Sequence, residues 1–327
     1  MSQSPAPLLL VNHITKRFSL SPGVYLTACQ DVSLTLERGE TLGIVGESGC
    51  GKSTAAKIIM QLHELTEGQV LFLGRDISKD RGESLRQHRR HIQMVFQDPE
   101  AAFNPKMKVQ DILCEPLKNF GLLAKGQDRS KAEELLCLVG LDSSFIDRFP
   151  HHMSGGQRQR VAIARALSLD PEIVICDEAT SALDVSIQKS IIELLKRIQS
   201  EKQTSYLFIC HDLALADQFC HRIAVMYLGH IVEVLPSIKG HCFHPYTQAL
   251  LQSVLSIRKS RSDPIHTLSG EVPSPIDLPM GCPFQSRCPQ CMDICRRKAP
   301  PMTVLGPNHK AACHLACSPF FSHKAAP

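Results

Sequence analysis

The sequence predicts an α/β protein with a largely parallel sheet, interrupted by a helical block and followed by a small cysteine-rich segment. Three observations favour this fold class. Short apolar runs typical of buried strands alternate with stretches of helical periodicity. The pattern turns helical from Asp98 to about Leu167. Beyond Leu235 the composition shifts, and six of the 14 cysteines fall between Cys282 and Cys317, which sets that segment apart.

Most of the individual elements can be placed from local patterns. Apolar runs that end at turns predict strands, and an amphipathic stretch over Lys131–Val139 stops at Gly140, a normal end for a helix. Frequent Pro and Ser at 271–275 indicate a linker. The other predicted strands are Ile92–Phe96, Glu172–Asp177, Ser205–Cys210, Ile223–Tyr227 and His230–Val234, and the other predicted helices are Val185–Ser200 and His244–Leu251.

A glycine-rich loop provides the clearest chemical signal. A predicted strand, Glu40–Val45, leads into it, and a predicted helix, Ser53–Met60, follows. Its pattern is that of a P-loop, in which backbone N–H groups cradle phosphates at a helix N-terminus. Lys52 can reach the β- and γ-phosphates, and the Ser53 hydroxyl can bind Mg²⁺. The loop consists of Gly46, Glu47, Ser48, Gly49, Cys50, Gly51, Lys52, Ser53 and Thr54.

Composition and charge narrow the class of protein. A chain of 327 residues with 43% hydrophobic and 21% charged residues can bury a large core. The net charge of +4 argues against a nucleic-acid binder, so we expect no nucleic-acid partner. No apolar run approaches the roughly 18 residues of a membrane span, and no signal peptide is evident. We therefore expect a cytoplasmic chain whose cysteines are not a disulfide framework.

Five further motifs follow the P-loop in a fixed order. Gln97 follows one strand, and Met153–Gln157 opens a helix. Asp177 and Glu178 stand at the tip of a strand, Ser181-Ala-Leu-Asp184 comes next, and His211 ends the following strand. With the P-loop, this set resembles the ATP-binding cassette (ABC) family over roughly residues 8–235. The resemblance implies a P-loop NTPase with a RecA-like core, an antiparallel β subdomain and a helical subdomain.

The resemblance also implies roles in ATP hydrolysis. Asp177 would hold the Mg²⁺ shell together with Ser53 and Gln97. Glu178 would be the general base that polarises the attacking water. His211 would contact the γ-phosphate and hold that water in line, while Gln97 senses Mg²⁺ and water. Since charge spreads over the γ-phosphoryl oxygens, positioning and electrostatics would carry the catalysis.

The signature motif would serve a second cassette. In the family, the loop formed by Ser154, Gly155, Gly156 and Gln157 contacts the partner's nucleotide, and Asp184 lies at the same interface. Hydrolysis therefore implies two cassettes that sandwich ATP head to tail. Phe18 matches the aromatic that stacks on adenine, with Tyr25 as its competitor.

Three positions depart from the family pattern. Met153 replaces the usual Leu, Ala179 stands in place of Pro, and Cys210 replaces the common Ser. None of the three touches a phosphate-binding or catalytic atom, so we expect activity to persist.

The segments beyond the cassette resemble the ATPase subunits of oligopeptide, dipeptide and nickel importers, and the F-type subunit of each pair in particular. This resemblance implies a second ABC ATPase, two permeases and a periplasmic binding protein as partners, at the cytoplasmic face of a bacterial inner membrane. It implies a nucleotide-binding domain over 1–235 (helical subdomain about 98–167), a helix and linker over 236–281, and a cysteine-rich extension over 282–327. The segments concerned are His244–Leu251, Gly270–Pro275, Gly281–Pro289 and Ala312–Leu315.

The cysteine-rich extension has three interpretations. In the family, four thiolates matching Cys282, Cys288, Cys295 and Cys313 are associated with a [4Fe–4S] cluster, although their spacing is looser than in ferredoxins. A structural zinc is the second interpretation, held by Cys288 and Cys291 with Cys295, Cys313 or His309. The third is a poorly ordered segment with unliganded cysteines.

The transported substrate stays open as well. Peptide is the default, and the same machinery could import nickel or another metal chelate. An alternative of a different class is a soluble ABC ATPase of DNA repair or translation. About a hundred residues lie between the P-loop and the signature without heptads, whereas repair ATPases carry a coiled coil there.

Overall fold

The computed structural model describes residues 6–180, 183–238, 242–256, 270–276 and 278–317. The chain divides into two compact units. The first comprises Met1–Glu37, Thr41–Lys79 and Cys210–Pro327, and the second comprises Arg38–Glu40 and Asp80–Ile209.

The described helices and strands follow one another in chain order as β1 (Leu9–Ser21), β2 (Val24–Leu36), β3 (Thr41–Val45), α1 (Lys52–Ile59), β4 (Glu67–Phe72), β5 (Arg75–Asp76), α2 (Gly82–His91), β6 (Ile92–Val95), α3 (Pro99–Ala102), α4 (Val109–Asn119), α5 (Asp128–Leu138), α6 (Gly155–Leu167), β7 (Ile173–Asp177), α7 (Val185–Lys202), β8 (Ser205–Cys210), α8 (Leu213–Phe219), β9 (Arg222–Tyr227), β10 (His230–Leu235), α9 (Pro245–Ser256), α10 (Asp293–Arg297), β11 (Met302–Gly306) and β12 (His309–Ala312). Short 3₁₀ turns occur at Ser143–Phe145, Pro150–His152 and His314–Cys317. The predicted strands and helices named above all appear, with ends shifted by a few residues.

The first unit contains two groups of paired strands. One is an antiparallel sheet in the order β2-β1-β4-β5. In the other, β3 pairs in parallel with β9, and β9 continues antiparallel through β10 and β12 to β11. β3 is buried along its whole length, as expected for a strand covered on both faces. This burial gives the P-loop a rigid strand from which to emerge.

The second unit is built around three parallel strands. β7 lies between β6 and β8, with Val95 opposite Cys176 and Cys176 opposite Phe208. β7 and β8 are buried throughout, so their apolar runs form the core of this unit. The helices of the predicted helical block, α3 to α6, belong to the same unit.

The C-terminal extension adds to a sheet of the first unit. β12 pairs with β10, with Ala311 opposite Glu233, and β11 completes the hairpin. Phe284 is fully buried, and the linker carbonyl of Pro275 accepts a hydrogen bond from the Thr27 N–H at 2.9 Å. The interpretation of this segment as poorly ordered is therefore wrong for residues 278–317, because β10 offers the hairpin an edge to pair with.

Glu233 on β10 is a buried carboxylate that ties the start of α9 to the extension. Its two oxygens accept hydrogen bonds from the backbone N–H groups of Phe243 and His244, and His309 Nε2 lies 2.8 Å from Oε1. His244 Nδ1 in turn accepts the N–H of Tyr246 at 3.1 Å. A buried carboxylate with three partners is well satisfied, so it can order the segments that donate to it.

The buried imidazole of His244 predicts an acid-sensitive fold. Burial lowers the pKa of His244 from 6.5 to about 4, and the nearby Glu233 opposes this shift only in part. Because the unfolded chain binds this proton more tightly, the contribution is complete above pH 6.5 and is lost as the pH falls toward 4, by up to about 3 kcal/mol. Urea unfolding at pH 7, 6 and 5 should show this loss, and His244→Gln should have a shallower dependence on pH. Equal slopes for the two proteins would contradict the assignment.

Candidate functional site

The P-loop turns from β3 into α1 through a tightly packed backbone. Gly51 is the N-cap of α1, with a left-handed φ of 108°. A Cβ atom at Gly46 would lie 2.1 Å from the carbonyl oxygen of Met226, and one at Gly51 would lie 2.1 Å from that of Ala28. Only glycine fits where backbone atoms approach this closely, so the neighbouring strands determine the course of the loop.

Lys52 follows Gly51 and folds back over the loop. Its side chain is buried, and Nζ donates to the carbonyl oxygens of Gly46 at 2.8 Å and Glu47 at 3.0 Å. The amine is therefore held inside the ring of the loop, beside the N-terminus of α1. A positive charge at a helix N-terminus that already favours anions makes a phosphate site.

The remaining P-loop residues differ in exposure. Ser48 and Gly49 are exposed at the loop apex, and Ser53 and Thr54 in the first turn of α1 are half-buried. Cys50 is buried, and burial raises the pKa of its thiol, while Lys52 opposes the shift. A protonated thiol is a poor nucleophile, so Cys50 has a packing role in the loop.

The two candidate adenine-stacking residues lie on neighbouring strands. Phe18 on β1 is half-buried, its ring meets His63 edge to face at 5.3 Å, and Lys16 Nζ lies 4.8 Å from its centroid. Tyr25 on β2 is half exposed and lies opposite Ser19. Both rings are accessible in the first unit, and the choice of Phe18 stays a prediction.

Gln97, Asp177 and Glu178 come together in the second unit. β6 and β7 are parallel neighbours, so the residues that follow them leave the same edge of the sheet. Gln97 Nε2 donates to Glu178 Oε2 at 2.8 Å, although the two residues are 81 positions apart. Asp177 is buried at the end of β7. The arrangement offers two adjacent carboxylates, one buried and one held by an amide.

Glu178 has an unusual backbone conformation. Its φ is 47°, in the left-handed region, and its N–H donates to the carbonyl of Ile209 on β8 at 3.0 Å. A non-glycine residue in this region is strained, and such strain is concentrated at functional sites. The hydrogen bond to Ile209 thus holds Glu178 in a backbone conformation that is unfavourable for a residue with a side chain.

His211 lies in the first unit, directly after β8 and before α8. It is exposed. Asp212 caps α8 by accepting the N–H groups of Ala214 at 2.8 Å and Leu215 at 3.1 Å. The cap fixes the backbone beside His211, which positions an accessible imidazole at the end of a buried strand.

The signature residues form the start of α6. The Ser154 hydroxyl accepts the Gln157 N–H at 3.3 Å, and Gln157 Oε1 accepts the Ser154 N–H at 2.9 Å, which makes a complete capping box. A Cβ at Gly156 would meet Ile187 Cγ2 at 2.8 Å, so this glycine permits close packing against α7. The helix start is a potential anion site, because the first N–H groups of a helix have no acceptor within it.

Asp184 is the N-cap of α7 and is exposed, as is the next residue, Val185, at 81%. Ser181 and Ala182 of the same motif lie outside the described residues. The departures Met153, Ala179 and Cys210 are all buried. Their side chains therefore pack inside the protein, and the expectation that activity persists stays a prediction.

Sequence reasoning missed two residues that contact the P-loop. The Glu47 N–H donates to Tyr246 Oη at 3.0 Å, and both Glu47 carboxylate oxygens accept hydrogen bonds from Arg287. Both residues belong to segments that the sequence singled out: Tyr246 to the predicted helix His244–Leu251, and Arg287 to the segment Gly281–Pro289. Nothing local marks either as a partner of Glu47, because they lie about 200 and 240 positions away.

The cysteines of the extension are free thiols that influence one another. Burial raises the pKa of Cys282 to about 12 and that of Cys313 to about 11, and the other cysteines of the set, including Cys288 and Cys295, add to both shifts. However, the part of the chain that the structure describes contains no group of three or more His, Cys, Asp or Glu residues arranged to hold a metal ion. The predicted [4Fe–4S] and zinc sites are therefore not supported by the geometry.

The structure also bears on membrane insertion. Within the described ranges, no helix combines the length and the apolar character needed to cross a bilayer.

Comparisons with known proteins place the chain in a family. The ABC transporter family model matches residues 29–181, and the model of the oligopeptide/dipeptide transporter C-terminal region matches 234–295. The chain is 46% identical to the oligopeptide transport ATP-binding protein AppF of Bacillus subtilis, over 94% of this chain and 97% of that one. It is 41% identical to OppF of Haemophilus influenzae, over 96% and 98%.

A solved structure agrees with this assignment. The ADP- and phosphate-bound dimer of the ATP-binding cassette MJ0796 is 32% identical with a TM-score of 0.63, covering 68% of this chain and 96% of that one. With relatives of this identity along nearly its whole length, and with the P-loop and the paired carboxylates in place, the chain belongs to the ATP-binding proteins of ABC transporters.

Proposed function

We propose that this ABC ATPase powers a bacterial importer of di- or oligopeptides. The observation that carries the proposal is the match of residues 234–295 to the oligopeptide/dipeptide transporter C-terminal region, alongside relatives named as oligopeptide transport ATP-binding proteins. The first model matches within residues 1–235 and the second begins at residue 234, which supports a cassette that ends near 235. The proposal also includes a linker over 236–281 and an extension over 282–327.

Each residue has a role in the proposed reaction. The P-loop binds the phosphates of ATP through its N–H groups and Lys52. Water attacks the γ-phosphorus, the bond to the β–γ bridging oxygen breaks, and ADP and phosphate form. Glu178 accepts the proton of the attacking water. The contact between Gln97 and Glu178 supports this role, because an amide that holds the carboxylate fixes the direction of proton transfer.

Three other groups complete the chemistry. Ser53, Gln97 and Asp177 provide oxygen ligands of the kind that Mg²⁺ prefers, and bound Mg²⁺ would neutralise phosphate charge. The exposed imidazole of His211 contacts the γ-phosphate, and Phe18 stacks on adenine.

The assembly follows from the signature loop and Asp184. We infer that they act on the nucleotide of a second ABC ATPase, in a heterodimer bound to two permeases at the cytoplasmic face of the inner membrane. A periplasmic binding protein would deliver the peptide. The exposure of Asp184 and Val185 supports an interface at this point.

Purification with the permeases tests this assignment. Tagged chain extracted from membranes should carry two permeases and a second ATPase, and its deletion should abolish growth on peptides as the nitrogen source. Recovery without membrane partners would favour the alternative of a non-transport ABC ATPase. Loss of nickel uptake with peptide growth intact would favour a metal-chelate importer.

The extension remains a separate proposal. We propose that Cys282, Cys288, Cys295 and Cys313 bind a [4Fe–4S] cluster, with zinc as the alternative. The cysteines raise one another's thiol pKa values, which supports their lying close together. The described residues contain no group of three or more ligands arranged to hold a metal ion, which weighs against a preformed site. No step of ATP hydrolysis depends on it.

Removing the proposed base should stop turnover without preventing binding. Glu178→Gln keeps the shape but removes the carboxylate, so steady-state ATPase activity of the assembled transporter should fall by about 100-fold or more. ATP should still bind, and closed dimers should accumulate. Glu193→Gln, an exposed change on α7, is the matched control. Near-normal turnover in Glu178→Gln would remove the assignment.

The signature should act on the partner's nucleotide. Ser154→Arg should impair hydrolysis in the assembled transporter, while ATP affinity of the isolated subunit changes little. Because Arg also breaks the capping box, Ser154→Asp is the sharper variant: aspartate preserves the cap but repels phosphate. Ser143→Arg, exposed in the same block, is the control. Loss of ATP affinity in the isolated Ser154→Asp subunit would overturn the sandwich assignment.

The metal proposal predicts colour. Anaerobically purified protein should be brown, with broad absorbance near roughly 400 nm, and Cys288→Ser should bleach it while sparing ATP binding. Colourless protein with stoichiometric zinc would favour the second interpretation. Colourless protein without metal would contradict both the cluster and the zinc interpretation.

A further inference from the structure

The P-loop is held from outside the cassette by an ion pair. Arg287 Nη1 donates to Glu47 Oε2 at 2.8 Å, and Nη2 donates to Oε1 at 3.1 Å. The Arg287 side chain is 5% exposed and that of Glu47 is 27% exposed. A two-point contact of this kind fixes direction as well as distance, and it is screened little when it is mostly buried.

A second contact restrains the backbone of the same residue. The Glu47 N–H donates to Tyr246 Oη at 3.0 Å. Tyr246 belongs to α9 and Arg287 to the cysteine-rich extension, so both contacts come from the region after the cassette. Glu47 is therefore anchored at its backbone and at its side chain by residues that no part of the P-loop motif specifies.

The two anchors rest on a buried aromatic cluster, formed by Tyr227, Tyr246 and Phe284. All three residues are fully buried, and their ring centroids lie 4.7 to 5.4 Å apart. The Arg287 guanidinium carbon lies 5.8 Å from the Tyr227 ring centroid. Close packing of this kind leaves the Tyr246 hydroxyl and the Arg287 guanidinium little freedom to move.

Glu47 also accepts hydrogen bonds from two other residues of the P-loop. Its carbonyl oxygen accepts Lys52 Nζ at 3.0 Å and the Cys50 N–H at 3.3 Å. A shift of Glu47 would therefore move the carbonyl oxygen that holds the Lys52 amine, the group that we expect to bind phosphate. Through one residue, the position of the extension is linked to the conformation of the phosphate-binding loop.

We propose that Arg287 and Tyr246 are positioning residues for ATP binding: by holding Glu47, the C-terminal extension sets the affinity of this subunit's P-loop for nucleotide. Arg287 also neutralises the Glu47 carboxylate. Without the guanidinium, an unpaired negative charge would stand in a loop that must receive phosphates. The inference depends on ATP binding by the P-loop and goes beyond the transport role.

A double-mutant cycle on the purified full-length subunit tests the proposal. Calorimetric titration with MgADP and with a non-hydrolysable MgATP analogue should show that Arg287→Gln raises Kd about tenfold. Glu47→Gln should raise it too, and adding Arg287→Gln to Glu47→Gln should change Kd little further, because the pair is already broken. Arg297→Gln, an exposed change in the same extension, should leave Kd unchanged.

A kinetic readout separates positioning from a general loss of structure. In the assembled transporter, Arg287→Gln should raise the KM for ATP while kcat stays within about twofold, since the catalytic residues are untouched. If Arg287→Gln fails to fold, Tyr246→Phe removes one hydroxyl and keeps the packing, and it should raise Kd roughly threefold.

The outcomes are distinct. Unchanged Kd in folded Arg287→Gln and Tyr246→Phe, or additive effects of Glu47→Gln and Arg287→Gln, would overturn the positioning role. Wild-type chain that bound no nucleotide would overturn this inference together with the ATPase assignment.

Discussion

The structure depends on the path of the P-loop backbone, which passes through a space that has no room for side chains. At Gly46 and Gly51 the P-loop runs against the carbonyl oxygens of Met226 and Ala28, which occupy the places where Cβ atoms would lie. Because those oxygens belong to β9 and β2, whose backbones are held by pairing with neighbouring strands, the loop has one course available to it. Its N–H groups are therefore directed before any phosphate arrives, and little ordering remains to be done on binding.

The arrangement of Gln97, Asp177 and Glu178 follows from a second constraint, the parallel pairing of β6, β7 and β8. Parallel register brings the ends of neighbouring strands to one edge, where Gln97 can reach Glu178. The left-handed backbone of Glu178 is held by a hydrogen bond to Ile209. A rigid, fully buried strand can sustain such strain because the surrounding packing leaves no relaxed alternative.

The extension shows how buried charge links distant parts of a chain. Glu233 has three hydrogen-bonding partners, and Arg287 donates hydrogen bonds to both carboxylate oxygens of Glu47. Removing the partners of a buried charged group leaves that charge without water or hydrogen bonds, which costs free energy. Each of these two contact sets therefore favours the fully docked position of the extension over partly docked ones. The energetic gain of each pair is modest, and its main effect is to specify geometry.

The sequence by itself determined the P-loop, the order of the motifs that follow it, the strands and helices with a clear apolar pattern, and the family, because these depend on local periodicity and on spacing along the chain. Only the tertiary structure decided that Gln97 meets Glu178, that the cysteine-rich segment joins a sheet through β12, and that Arg287 meets Glu47. An arginine in a Pro- and Cys-rich segment looks like any surface cation in the sequence. Its partner lies 240 positions away, and the contact forms only when the sheet and the aromatic cluster bring the two segments together.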